Sequence, residues 1–117
     1  MVLVHASAHR VFVIDMSWPQ NAFIGLFVIA APIVAGGLVW TSCRRAGAFL
    51  LAASMFAALV FGLSHHFLVP GTDNIASVPA AGWGARFRLS AFLLAIVEAW
   101  GSAVGWWGIR CFARAPS

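Results

Sequence analysis

Residues 16–43, MSWPQNAFIGLFVIAAPIVAGGLVWTSC, run for 28 positions without one charged side chain. A bilayer hydrocarbon core about 30 Å thick is crossed by about 20 apolar residues in a helix, so the stretch is long enough to span. Two more windows follow. Residues 46–72 hold no Asp, Glu, Lys or Arg over 27 positions, although His65 and His66 lie inside, and residues 89–109 hold only Glu98 among 21. Arginines separate the three. The pattern predicts an all-α integral membrane protein: an up-down-up bundle of three transmembrane helices over about 21–40, 47–69 and 85–112, with a short N-terminal interfacial segment.

Composition excludes the main alternatives. Of 117 residues, 62% are hydrophobic and 9% charged, against about 25% charged in an average soluble domain. Too few polar side chains exist to cover a water-facing surface, and the apolar content is too high for a disordered chain. The net charge of +4 would suggest nucleic acid in a soluble protein. Here the arginines cluster at span ends, where guanidinium groups reach lipid headgroups. Membrane lipid is therefore the expected partner, and nucleic acid is not. Cys43 and Cys111 are too few for a disulfide framework.

Short connections make neighbouring spans antiparallel. Trp18-Pro19 opens the first span, since proline fits a first helical turn, and Pro32 should loosen its middle. Pro70-Gly71 stops the second. One end of the bundle carries Arg44, Arg45, Arg110 and Arg114; the other carries Arg10, Arg86 and Arg88. By the positive-inside rule the C-terminus and first loop face the cytoplasm of a bacterial-type inner or plasma membrane, with the 70–84 loop outside. Residues 1–20 read as an interfacial segment or as a gene-calling extension ahead of a start at Met16. Residues 21–117 form one transmembrane domain.

Three groups of residues could carry chemistry. Glu98 sits near the bilayer midplane, where an acid costs about 2.5–3.5 kcal/mol and should face protein or water. Ala91, Ala95, Glu98, Ser102 and Gly105 share one small, weakly polar face. The bland role of Glu98 and Ser102 is hydrogen-bonded glue between helices; the functional one is a proton or cation site. His65 and His66, with Asp73 across the Pro-Gly turn, could offer two imidazoles and a carboxylate to zinc or copper, although adjacent histidines lack the spacing of helical metal sites. His5 and His9 do have it, at i and i+4. A haem with two axial histidines would need a second chain, because the other two spans lack histidine. Metal and haem both rank below a cofactor-free reading. Asp73 could instead latch the loop onto Arg86 or Arg88.

No P-loop, dinucleotide fingerprint, nucleophile elbow or zinc-protease helix is present, so the expectation is a protein that is not an enzyme. The reading that asks least is an accessory or stabilising subunit of a larger membrane complex, whose partner supplies the cation missing beside Glu98. The alternatives are an oligomeric proton, cation or metal-ion transporter or channel with Glu98 side chains around its axis, and a metal- or haem-binding membrane protein using His65 and His66.

Overall fold

The computed structural model describes residues 2–114. It is all-helical, in four helices: α1 (Val2–Val11), α2 (Trp18–Val39), α3 (Arg44–Leu68) and α4 (Trp83–Arg114). The last three are long and apolar enough to cross a membrane, and they form the expected up-down-up bundle, 54 Å along its major axis. The protein is a small polytopic membrane protein. Its outward faces carry Leu26, Ile33, Phe56, Leu89, Ile96 and Trp100, all more than half exposed. In water such a surface would aggregate; in a bilayer it meets lipid.

Each helix end has a local cause. The α2 helix begins at Trp18 because the Gln20 side-chain oxygen accepts the Ser17 N–H at 2.7 Å and its hydroxyl at 3.0 Å, with Pro19 in the first turn where its missing N–H costs nothing. Pro32 would drive its ring into the carbonyl four residues back, and the turn before it relaxes into a π-helical segment over Ile24–Ala30. The loosening expected at Pro32 thus takes the form of a widened turn. A second π-helical turn, Ser64–Leu68, closes α3. Within it His66 is buried in the protein.

Close approach of α3 and α4 holds the bundle together. A side chain added at Gly105 would meet only backbone: the Ala52 nitrogen at 2.5 Å and the Ala48 carbonyl oxygen at 2.9 Å. Helices pack this tightly only through small residues. Gly47 does the same on the other side of α3, where a Cβ would lie 2.9 Å from the Ala35 oxygen and from the Val39 nitrogen of α2. Glu98, Gly105 and Ala91 are buried on the α4 face named by their spacing.

The α1 helix packs along the first turns of α4, with Phe12 beside Phe87 and His5 bonded to Ser90. It stops in a Schellman motif, with the Ile14 N–H on the His9 carbonyl at 2.9 Å and the Val13 N–H on the Arg10 carbonyl at 3.3 Å. The motif demands a left-handed residue, and Val13 takes φ of 52° despite its branched Cβ. The turn delivers Ile14 into a small core with Ala8, Val78 and Phe87, flanked by Phe12 and Ile75. Phe87 is fully buried there. Removing a buried phenylalanine costs about 3–5 kcal/mol, so this one ring holds much of the cap in place.

Candidate metal centre

The cap brings together histidines that lie far apart in the chain. His5 and His9 point inward from one face of α1, and His66 points up from the last turn of α3; all three are buried. One donor nitrogen from each lies within 4.8 Å of the others. The His5 Nε2 is 3.1 Å from the His9 Nε2 and 3.2 Å from the His66 Nε2. In a tetrahedral zinc site with Zn–N of about 2.0 Å, ligand nitrogens stand about 3.3 Å apart. Two of the three edges already have that length.

Neighbouring groups fix which ring nitrogens face inward. The Ser90 hydroxyl donates to the Phe87 carbonyl at 2.9 Å, so it accepts from the His5 Nδ1–H at 2.9 Å. The His66 Nδ1 lies 3.0 Å from the Asp73 backbone carbonyl, which can only accept. Both rings therefore spend their proton outward and present a bare Nε2 to each other. Two lone pairs 3.2 Å apart repel unless a proton or a metal cation stands between them. Histidines that bind metals show the same arrangement, with Nδ1 held by a hydroxyl or carbonyl and Nε2 left free.

Charge and burial agree. The Asp73 Oδ1 is 3.1 Å from the His9 Nε2 and 3.2 Å from the His66 Nδ1, yet it is buried without a hydrogen bond of good geometry, as is the His9 Nδ1. A buried, unsatisfied carboxylate oxygen is costly and calls for a positive partner. Burial, helped by the neighbouring His66 and His9, pushes the His5 pKa down from 6.5 to about 3. Burial also lowers that of His9, against the pull of Asp73. Both stay neutral at pH 7, the state in which imidazole binds metal.

Phe87 forms the floor. Its ring stacks on His5 with centroids 4.9 Å apart and meets His66 edge-on at 5.5 Å, so the imidazoles cannot swing freely. A cavity of about 110 Å³ opens beside the histidines, and Glu98 lies along its wall.

The residues singled out by sequence divide between this centre and elsewhere. His66 and Asp73 belong to it. His65 does not: it stacks on Phe61 at 4.2 Å, with its Nδ1 3.0 Å from the Phe61 carbonyl of its own helix. Asp73 turns to His9 and His66, away from Arg86 and Arg88. The loop is latched instead by the Arg88 guanidinium, which donates to the Val78 carbonyl at 2.7 Å, and by Asn74, whose side-chain oxygen accepts the Ala76 N–H at 2.9 Å. Arg86 lies over the Trp83 ring. The Ser102 hydroxyl bonds back to the Glu98 carbonyl within α4 at 2.8 Å. Phe87 and Ser90 carried no sequence signal, being an ordinary aromatic and a serine within the first turns of a long helix. The i, i+4 spacing of His5 and His9 was the signal for two of the three ligands.

No protein-family description matches this chain, and no curated protein or solved structure is similar enough to count as a match.

Proposed function

We propose that this membrane protein is a metalloprotein that binds one divalent transition-metal cation through His5, His9 and His66, with Asp73 supplying negative charge beside them. The observation that carries the reading is the convergence of three Nε2 atoms whose Nδ1 partners, where assigned, point outward. Three imidazoles and a carboxylate suit zinc, copper, cobalt, nickel or iron better than calcium or magnesium, which prefer all-oxygen shells. Three protein ligands leave a coordination position for an outside molecule, the arrangement of catalytic rather than structural zinc. The centre lies at the end of the bundle that the arginine distribution puts on the outer face.

The same geometry weighs on the other readings. Glu98 is enclosed by its own chain, beside the centre, so it needs no partner subunit to supply a cation. A ring of Glu98 side chains around an oligomer axis would require each to leave that enclosure. The cavity is smaller than the 150 Å³ that admits benzene, which leaves no room for a haem.

The test is metal content. Protein purified in detergent from metal-replete cells, or loaded with zinc or cobalt, should carry one metal per chain. His5→Ala, His9→Ala and His66→Ala should each lose it, while His65→Ala retains it. Metal below one-tenth of an equivalent in the wild type, or equal loss in His65→Ala, would defeat the proposal.

A further inference from the structure

The cavity beside the histidines has a composition that the metal alone does not explain. All four helices wall it: Val2 from α1, Val28 from α2, Ala58 and Gly62 from α3, Ala95 from α4. These walls are apolar and small. At one end stand His5, His9 and His66; along the α4 wall stands Glu98, 7% exposed. Among the described residues no hydrogen bond reaches the Glu98 carboxyl, which is therefore a buried polar group aimed into space. Such a group is retained at bilayer depth only when something meets it.

Gly62 keeps the two ends in communication. A Cβ built there would touch the Glu98 Oε2 at 3.4 Å and the His66 Cδ2 at 3.9 Å, with nothing closer. Both are ordinary contact distances, so a methyl group would fit here and a larger side chain would enter the cavity. Glycine in a helix interior costs about 0.5–1 kcal/mol relative to alanine. What the glycine preserves is an open line from the carboxyl to the His66 ring.

We infer that this cavity is the chamber for an outside ligand of the metal: an uncharged, mostly apolar molecule of up to about five non-hydrogen atoms, with a metal-ligating atom at one end and a hydrogen-bonding atom that meets Glu98. The size follows from a volume of about 110 Å³, set against the 150 Å³ apolar cavity that takes benzene. The mostly apolar walls disfavour a hydrated ion, and of the two carboxyls that line the cavity, Asp73 stands with the histidines while Glu98, apart from them, orients the guest. This inference rests on the metal reading above.

Imidazole is a suitable probe. It has five non-hydrogen atoms, ligates cobalt through one nitrogen and carries an N–H at the other side of the ring. Titrating it into the cobalt-loaded protein should shift the visible cobalt spectrum in a saturable way. Gly62→Val and Ala95→Leu fill the chamber from two different helices; each should weaken imidazole at least about tenfold while cobalt stays at one equivalent. N-methylimidazole, which lacks the N–H, should bind about five- to tenfold more weakly than imidazole, and Glu98→Leu should erase that difference. A cobalt spectrum indifferent to imidazole would overturn the chamber and leave the metal site standing. So would unchanged imidazole affinity in both filled variants. Failure to bind cobalt at all would overturn the metal reading itself.

Discussion

The seam between α3 and α4 and the cap above it are built on opposite principles. The seam joins long neighbouring helices through small residues, and its contacts are backbone against backbone at Gly105 and Ala52. The cap joins pieces far apart in the chain: His5 meets His66 across 61 residues and Ser90 across 85. It is held by a few buried side chains around Phe87. A seam of this kind resists change at every position, whereas a cap of this kind can be opened while the bundle stays whole. That is the arrangement expected of a site that must admit metal and guest molecules.

The comparison breaks most violently at Gly105. Gly105→Leu forces a side chain into the Ala52 and Ala48 backbone, which cannot yield as a side chain would. The cost should exceed the about 1–3 kcal/mol of ordinary overpacking. The expected result is loss of monodisperse protein in detergent and collapse of the near-ultraviolet tryptophan signal. A well-behaved Gly105→Leu protein would mean that the seam is looser than described.

Phe87→Ala should separate the two regions. It removes about 3–5 kcal/mol of burial from the cap and nothing from the seam. Metal should be lost and α1 should become accessible to protease, while far-ultraviolet circular dichroism keeps nearly all its helical signal. If the spans melt together with the cap, the two regions are one cooperative unit.

Acid should open the cap with a defined sign. The depressed His5 pKa means that the docked state refuses protons that a released α1 would accept. Docking is therefore complete above about pH 6.5 and is lost as pH falls toward about 3. Metal release should follow the same window, since neutral imidazole is the ligand. Tryptophan fluorescence and metal content measured from pH 8 to 3 check this; full retention of metal at about pH 3 would contradict it.

The smallest effect is expected at Val13. A β-branched residue in the left-handed region is disfavoured by about 1–2 kcal/mol, partly offset in the reverse exchange by the entropy of glycine. Val13→Gly should stabilise the docked cap by up to about 1 kcal/mol. It would appear as slightly slower proteolysis between α1 and α2 with unchanged metal stoichiometry.

The same contrast explains what the sequence made legible. Span number, helix order and the inward face of α4 follow from local rules: charge-free length, breaker residues and the period of small side chains around Glu98. The spans' ends shifted by a few residues; at α2 the Ser17–Gln20 contact starts the helix early. The centre obeys no local rule. His5 and His9 were visible as a pair and His66 as half of another, but a pairing across 61 residues leaves no periodicity. Within the π-helical turn at Ser64–Leu68 it is His66, and not His65, that is buried. No pattern of hydropathy announces such a turn. Asp73 carries two readings in the sequence, with His65 and His66 or with Arg86 and Arg88, and the folded loop sets it beside His9 and His66.

X-ray absorption at the metal edge of the zinc-loaded protein tests the central claim most directly. The account predicts about three nitrogen neighbours near 2.0–2.1 Å with the multiple-scattering signature of imidazole, a shell that is absent from His9→Ala because that variant loses its metal. A shell of oxygen alone, or a wild-type spectrum unchanged by that substitution, would contradict it.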